Sequence, residues 1–229
     1  MSKRNPSARR NKKESSSPLK LDAIQLAGIA IVFVIVASTI WLTVILTRKP
    51  TSQVPTGQTS AKQWSHAPAM AIDVHKQYFA NVKMAKGGEF VFQLYPDKAP
   101  ITVNSFVFLA QQGFFNGVTF HRVLDGFMAQ GGDPTGSGQG GPGYQFVNET
   151  SDLKFDKAGV VAMANAGPDT NGSQFFITFG PQPQLDGGYT IFGQVTSGMD
   201  VVNGLTRRDP QQGPTFQGDA MESVIITEK

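Results

Sequence analysis

The sequence predicts a mainly β protein: a closed eight-stranded antiparallel β-barrel capped by two α-helices and preceded by one transmembrane helix. Eight short segments with strand-like alternation and two with helical spacing follow one another after residue 77, a pattern typical of a closed barrel. The chain of 229 residues contains 25 Gly and 14 Pro, which favours a protein rich in turns. Residues 24–46 form one uncharged apolar run, which predicts the membrane-spanning helix.

The first 69 residues divide into three segments of different composition. Residues 1–23 are basic and poor in apolar side chains, which predicts a disordered cytoplasmic tail. A helix over residues 24–46 would be about 34 Å long at about 1.5 Å per residue, enough to cross the apolar core of a bilayer. Residues 47–69 are rich in Pro, Ser, Thr and Gln, which predicts a flexible linker.

A cleaved signal peptide is the alternative explanation for the apolar run. The apolar core of a signal peptide usually has only ~7–15 residues and ends in small residues. This run instead continues through Trp41 and Leu46 to Arg48 and Lys49, so we expect an uncleaved anchor. Seven Lys and Arg precede the run and two follow it, and the positive-inside rule therefore predicts a single-pass protein of the cell membrane with a cytoplasmic N-terminus and an extracytoplasmic C-terminal domain.

Charge and composition exclude several classes of function. Residues 1–49 hold nine Lys and Arg against two acidic residues, which leaves eleven against fifteen for the remainder. The domain is thus mildly acidic, and we expect no nucleic-acid partner. The chain has no Cys, so disulfides and thiolate chemistry are excluded. His66, His75 and His121 lack the spacing of metal ligands, and we expect neither a metal nor another cofactor.

The domain itself is predicted to cover residues 70–229 and to open with a β-hairpin. In this hairpin, residues 77–84 and 89–94 alternate around a turn that contains Gly87 and Gly88. An amphipathic helix is predicted over residues 101–112, where apolar residues recur at spacings of three and four. Six further strands are predicted over residues 119–123, 127–130, 159–164, 174–178, 191–195 and 224–227, and a second helix over residues 198–205.

Two stretches surround one cation with apolar, small and amide-bearing side chains. Phe120 to Asp133, FHRVLDGFMAQGGD, contains Arg122 among aromatic and thioether groups, and Val160 to Gly180, VVAMANAGPDTNGSQFFITFG, supplies more groups of the same kind. At these stretches the sequence resembles the cyclophilins, which are peptidyl-prolyl cis-trans isomerases, and the resemblance extends over roughly residues 77 to 229. It implies the barrel fold of that family and its activity, with bacterial members the most similar in pattern.

The implied reaction rotates an X-Pro amide, whose barrier is about 18–20 kcal/mol because the imide nitrogen shares its lone pair with the carbonyl. Such a rotation needs no nucleophile, and a hydrogen-bond donor that draws on the imide nitrogen lowers the barrier. By the resemblance, the catalytic residues are Arg122, Phe127 and Gln130. The implied substrate-binding residues line a proline pocket or contact the peptide backbone: Met128, Ala164, Asn165, Ala166, Gln174, Phe176, Leu185 and Tyr189.

Strand alternation assigns some of these side chains to a face of the barrel. If Phe176 lines the cleft, Gln174 shares its face, whereas Phe175 and Ile177 point into the barrel. Because Phe127 is adjacent to Met128, it cannot share the face of Met128 and must enter the cleft from the bend after Gly126. The same argument places His121 on the face opposite Arg122, which favours a core or second-layer histidine over an acid–base catalyst.

Two positions depart from the pattern of animal cyclophilins. Gln184 stands where many members have tryptophan, and Tyr189 where they have histidine. The first change predicts weak cyclosporin binding, since that tryptophan contacts the drug, and both changes look bacterial. Residues 136–141 match G-x-G-x-x-G, but Pro142 follows at once, so we expect a glycine-rich loop near the cleft rather than a dinucleotide site.

These observations predict a membrane-anchored isomerase with a monomeric catalytic domain. Its expected partners are proline-containing segments of unfolded or newly translocated proteins, which it would help to fold outside the cytoplasm. A non-catalytic proline-peptide-binding or chaperone module is the alternative, and a structural anchor for a surface assembly is a weaker one. Arg122 favours the enzyme, because a module that only binds has no need of the cation.

Overall fold

The computed structural model describes residues 62–229. The predicted cytoplasmic tail, the predicted transmembrane helix and most of the predicted linker lie outside these residues. Within the described part of the chain, no helix is both long enough and apolar enough to cross a membrane.

Nine strands and two α-helices make up the described domain. They are β1 (Tyr78–Met84), β2 (Glu89–Leu94), α1 (Pro100–Gln111), β3 (Thr119–Phe120), β4 (Arg122–Leu124), β5 (Met128–Gly131), β6 (Val160–Met163), β7 (Phe175–Thr178), β8 (Ile191–Ser197), α2 (Met199–Asn203) and β9 (Asp219–Glu228). Two short 3-10 turns, Pro183–Leu185 and Pro210–Gln212, lie in the loops. The sequence located both α-helices and every strand to within a few residues, except at β9, which is six residues longer than predicted.

The nine strands form one antiparallel sheet in the order β3-β9-β1-β2-β8-β6-β7-β5-β4. Its two edges are consecutive pieces of the same segment, since β3 pairs with β9 and β4 pairs with β5. Single bridges from Thr119 to Asp133 and from Val123 to Arg208 complete the circuit. The sheet is therefore a nearly closed barrel.

The prediction of eight strands was wrong at one place, the segment over residues 119–123. This segment hydrogen-bonds to β9 before His121 and to β5 after it, so that it divides into two short strands. The change of partner depends on strands distant in sequence, and the local alternation of the segment does not reveal it.

Phenylalanine rings fill the barrel interior. Phe90, Phe92, Phe120, Phe175 and Phe192 are all fully buried there. Helix α1 closes one end of the barrel by inserting Phe106, whose ring centroid lies 5.4 Å from that of Phe192. Burial of each such ring contributes roughly 2–3 kcal/mol relative to exposure.

The amino end of α1 is completed by a distant carboxylate. The helix begins at Pro100, where the missing N–H of proline leaves no donor unpaired. Glu149 accepts hydrogen bonds from the N–H groups of Ile101 at 2.9 Å and Thr102 at 2.8 Å. A negative charge at this position also interacts favourably with the helix dipole.

Residues 62–69, which the sequence assigns to the linker, pack against α1. The ring of Trp64 lies 5.2 Å from that of Phe108 and 6.0 Å from that of Phe114. The carboxamide of Asn104 donates to the carbonyls of Pro68 and Ala69. The folded unit therefore extends to residue 62 at least, eight residues before the predicted domain boundary.

A second hydrophobic cluster lies on the outer face of the barrel. Its buried members, Met128, Phe155, Val160, Ala162, Phe176 and Ile191, are separate from the barrel core. Phe175 and Ile177 belong instead to the core, as strand alternation predicts for β7. This outer cluster is the base on which the candidate site is built.

Candidate active site

The candidate site follows a row of residues across four neighbouring strands. Arg122 of β4 lies opposite Gln130 of β5, Gln130 lies opposite Phe176 of β7, and Phe176 lies opposite Ala162 of β6. Residues that face one another in an antiparallel sheet point to the same side. The cation, the carboxamide and the aromatic ring therefore share the outer face of the barrel.

A cavity of about 150 Å³ opens above this row. Its lining contains nine of the eleven residues that the sequence assigned to the site: Arg122, Phe127, Met128, Gln130, Ala164, Asn165, Phe176, Leu185 and Tyr189. Phe127 enters from the turn after Gly126, as predicted, and Met128 lies buried beneath it. The cavity has an apolar floor with one cation at its margin.

Aromatic contacts fix the floor of the cavity. The Phe155 ring stacks on Phe176 at a centroid distance of 5.8 Å and an angle of 14° between planes. Tyr189 packs edge-on against Phe176 at 5.4 Å and 87°. Held on two sides, Phe176 is only 4 % exposed and presents a fixed apolar surface to a ligand.

Arg122 lies at the margin with its guanidinium beside an aromatic ring. The Cζ atom of Arg122 is 5.9 Å from the ring centroid of Phe127. Among residues 62–229, no carboxylate forms an ion pair with Arg122. The described part of the chain therefore leaves the guanidinium donors available to a molecule in the cavity.

The two remaining predicted residues, Ala166 and Gln174, line a larger cavity of about 670 Å³ beside the first. The two cavities share Gln130, Ala164 and Asn165, so that they form one continuous groove. The small alanine side chains leave space for a main chain to pass between the cavities.

The sequence of the domain matches a known family over most of its length. The family model for cyclophilin-type peptidyl-prolyl cis-trans isomerases matches residues 79–228. The chain belongs to the cyclophilin family. Its enzyme class is therefore peptidyl-prolyl cis-trans isomerase.

Peptidyl-prolyl cis-trans isomerases of two different organisms are similar to this chain. Peptidyl-prolyl cis-trans isomerase-like 1 of Emericella nidulans is 50% identical over 145 residues, which cover 61% of this chain and 90% of the relative. Peptidyl-prolyl cis-trans isomerase B of Bacillus subtilis is 47% identical over 133 residues, 58% of this chain and 93% of the relative.

A cyclophilin-type isomerase of Cryptosporidium parvum has a similar structure. Its crystal structure aligns with a TM-score of 0.62 and 33% identity, covering 67% of this chain and 99% of that one. A second crystal structure of the same protein, determined in the presence of the dipeptide Ala-Pro, aligns with a TM-score of 0.61 and 34% identity, covering 66% and 99% of the two chains.

The carboxamide of Gln174 in this cyclophilin is committed to other parts of the protein. Its Nε2 donates to the carbonyls of Gly138 at 3.0 Å and Gly140 at 2.9 Å. Its Oε1 accepts a hydrogen bond from Nε2 of Gln130 at 2.9 Å. Gln174 thus holds the glycine-rich loop against the sheet and orients Gln130, whose Oε1 accepts no hydrogen bond from the described part of the chain.

Asn165 also uses its carboxamide locally. Its Oδ1 accepts from the N–H of Gly167 at 3.2 Å, and its Nδ2 lies 3.4 Å from the carbonyl of Gly188. The side chain therefore stabilises the turn that forms the rim between the two cavities.

Asp133 organises the glycine-rich loop, a role that the sequence did not reveal. Its buried carboxylate accepts hydrogen bonds from the N–H groups of Thr135, Gly138 and Gly140. Burial alone would raise the pKa of Asp133, but these hydrogen bonds outweigh it, and the pKa lies below its ordinary value. A glycine-rich run directly after an aspartate was the available signal, because backbone N–H groups of such a run can converge on one anion.

His121 is buried, as expected of a core or second-layer histidine, and lies between β3 and β4. It is 2 % exposed, and its Nδ1 finds no hydrogen-bond partner within the described residues. Burial lowers the pKa of His121, with smaller effects of the same sign from Arg208 and Arg122, while Asp133 acts in the opposite direction. The imidazole therefore stays neutral at neutral pH and contributes no charge to the site.

Proposed function

We propose that this cyclophilin isomerises X-Pro bonds in unfolded or newly translocated proteins by arginine-assisted amide rotation. The observation that carries the proposal is the position of Arg122, a cation without an ion-pair partner among residues 62–229, at the margin of an apolar cavity. The Cryptosporidium parvum structure that was determined in the presence of the dipeptide Ala-Pro supports a proline-containing ligand.

In the proposed mechanism, the proline ring enters the small cavity and rests on Phe127, Met128 and Phe176. As the amide twists, the imide nitrogen recovers its lone pair and becomes a hydrogen-bond acceptor, towards which Arg122 donates. A planar guanidinium that remains charged in a half-buried site is suited to this role. One preorganised donor of this kind is worth about 10²–10³-fold in rate.

Gln130 is proposed to hold the substrate backbone beside the cavity. One N–H of its Nε2 donates to Gln174, and within residues 62–229 its Oε1 accepts no hydrogen bond, so that this oxygen can face a ligand. This oxygen would accept a hydrogen bond from a peptide N–H, which fixes the peptide relative to Arg122. The part of the bound chain on one side of the X-Pro bond then rotates relative to the other part, while the proline ring remains in the pocket.

An isomerase assay separates this proposal from a module that only binds proline peptides. With the full-length protein, a protease-coupled assay on a short X-Pro peptide should show a rate that rises in proportion to enzyme concentration. Binding of the same peptide without any acceleration would instead support the non-catalytic module.

We further propose that residues 24–46 anchor the protein in a bacterial cell membrane with the cyclophilin domain outside. The proposal rests on the uncharged run, on the seven Lys and Arg that precede it, and on Gln184 and Tyr189.

The catalytic domain is proposed to act as a monomer.

The orientation can be tested with protease added to intact cells or spheroplasts. The cyclophilin domain should be digested while the first twenty or so residues stay protected. Neutral residues in place of the seven Lys and Arg should scramble the orientation, since only Arg48 and Lys49 would then bias it. A domain that resists digestion until the membrane is lysed would contradict the proposed topology.

A further inference from the structure

We infer that Gln182 is a positioning residue that joins three walls of the proline pocket. The inference rests on the proposed function of the small cavity as the proline site. Gln182 lies outside that cavity and is 8 % exposed, and no sequence motif distinguishes it.

The side chain of Gln182 connects the turn before β5 to the 3-10 turn over Pro183–Leu185. Its Nε2 donates to the carbonyl of Gly126 at 2.9 Å, directly before Phe127. Its Oε1 accepts a hydrogen bond from Nε2 of Gln184 at 2.6 Å. The carboxamide therefore connects Gly126, which precedes Phe127, to Gln184, which precedes Leu185.

The backbone of Gln182 makes the third connection. Its N–H donates to the carbonyl of Phe155 at 2.7 Å, and its carbonyl accepts from the N–H of Leu185 at 2.9 Å. Phe155 is the ring that stacks on Phe176. Each of the three apolar walls, Phe127, Phe176 and Leu185, is thus connected to Gln182 through at most one intervening residue.

This arrangement requires a carboxamide of the length of glutamine. Leucine has a similar volume but can bond neither the Gly126 carbonyl nor the Gln184 carboxamide. Because Gly126 and Gln184 are exposed, water would replace Gln182 as their partner, and the turn that carries Phe127 would lose its connection to the segment over Pro183–Leu185. We therefore expect changes at Gln182 to act on the shape of the pocket.

The test compares Gln182→Leu with Gln194→Leu in the full-length protein. Gln194 is the control, because it is half-buried and, like Gln182, donates to a backbone carbonyl, that of Ala158 at 2.9 Å, outside the two cavities of the site. Peptide-observed NMR with a short X-Pro peptide measures both the affinity and the cis-trans exchange rate of the bound peptide.

We expect Gln182→Leu to bind the peptide about five- to tenfold more weakly, the scale of one net hydrogen bond. Its exchange rate at saturation should stay within about twofold of wild type, because Arg122 keeps its place. Gln194→Leu should change the affinity by less than about twofold. Equal affinities of the two variants would overturn the inference.

A second variant decides the question if Gln182→Leu does not fold. In Gln182→Glu, an ionised carboxylate faces the Gly126 carbonyl and cannot donate to it, whereas the protonated acid can. Because burial raises the pKa of a carboxyl group above its ordinary value of about 4.3, the affinity of this variant for the peptide should improve relative to wild type as the pH is lowered from about 8 to about 5. An affinity that follows the wild-type pH profile would count against the inference.

Failure of the inference differs from failure of the proposed function. A wild-type protein that exchanges the peptide, with a Gln182→Leu variant equal to the control, refutes the role of Gln182 alone. A wild-type protein that neither binds nor exchanges the peptide refutes the proposed function, and the role of Gln182 with it.

Discussion

The arginines around the site differ in what their guanidinium groups contact. Arg207 donates to Asp125 at 2.9 Å and to the backbone carbonyls of Asn203, the last residue of α2, and Leu205. Arg208 donates to the carbonyls of Phe216 and His121. Arg122 has no such partner among residues 62–229, and it is the arginine that lines the cavity. The guanidinium with uncommitted donors is therefore the one in position to act on a bound amide.

The floor of the pocket gives the first prediction at the residue scale. Phe176→Ala removes a buried ring that Phe155 and Tyr189 hold in place, and should lower the free energy of unfolding by about 3–5 kcal/mol. Peptide affinity and kcat/KM should fall by similar factors, since ground-state contacts are lost. Calorimetry and the isomerase assay check both effects. A fall in kcat/KM with unchanged affinity would assign the ring a role in the transition state instead.

His121 gives a prediction on pH dependence. Because burial lowers the pKa of His121 in the folded state, the unfolded chain binds this proton more readily, near the ordinary value of 6.5. The free energy of unfolding is therefore not reduced by His121 above pH 6.5, and it declines as the pH falls below that value. In His121→Gln, the slope of unfolding free energy against pH in this range should be shallower by up to about 1.4 kcal/mol per pH unit.

The control for this experiment is His75, which is exposed. His75→Gln should retain the wild-type slope in denaturant titrations at a series of pH values. An unchanged slope in His121→Gln would show that His121 does not cause the acid sensitivity.

At the scale of elements, the glycine-rich loop depends on one carboxylate. Asp133→Asn removes the charge on which the N–H groups of Thr135, Gly138 and Gly140 converge. We expect a loss of about 2 kcal/mol in unfolding free energy, typical of hydrogen bonds to a charged group. Weaker binding of peptides long enough to enter the larger cavity should accompany it, because Gly138 and Gly140 line that cavity.

The control lies in the same loop. Gln139 is exposed and joins the loop's hydrogen bonds through its backbone N–H, so Gln139→Ala should change stability by less than about 0.5 kcal/mol. Equal stability of the Asp133 and Gln139 variants in urea unfolding would show that the carboxylate does not organise the loop.

The elements that sequence predicts well are those with strong local patterns. The β1–β2 hairpin and α1 lie where alternation and helical spacing place them. The break at His121 was not predicted, since it results from a change of strand partner. The roles of Asp133 and Gln182 were missed for a related reason: both depend on contacts between segments that meet only in the folded chain.

The site residues were predictable as a set, because their motifs are long and because alternation assigns faces. The motifs do not show which hydrogen bonds the carboxamide side chains form. Gln174 is predicted to hold the substrate, and in the structure its Nε2 also donates to the glycine-rich loop while its Oε1 accepts from Gln130. Hydrogen bonds of this kind follow from three-dimensional proximity, which spacing in the sequence does not give.

At the scale of the whole molecule, the barrel core and the site cluster are separate. The phenylalanines inside the barrel form one cluster, and the residues under the proline pocket form another on the outer face. This separation lets the core provide rigidity while the outer cluster determines what binds. The changes in unfolding free energy caused by substitutions in one cluster should therefore add to those caused by substitutions in the other, with little coupling.

The segment before β1 gives a prediction at this scale. Trp64→Ala removes a half-buried ring from the surface of α1 and should lower the free energy of unfolding by about 2 kcal/mol, below the cost of a fully buried aromatic. Peptide turnover should be unchanged, since Trp64 lies outside both cavities. Thermal unfolding and the isomerase assay test this. An unchanged Tm would contradict the packing of this segment on the domain.

The most direct test of the proposed mechanism is peptide-observed exchange NMR on wild type, Arg122→Ala and Arg122→Lys. If the guanidinium acts in the twisted transition state, Arg122→Ala should lower kcat/KM by about 10²–10³-fold while peptide affinity falls much less. Arg122→Lys should recover little activity, because an ammonium keeps the charge but not the planar fork. Exchange as fast in Arg122→Ala as in wild type would contradict the assigned role of Arg122.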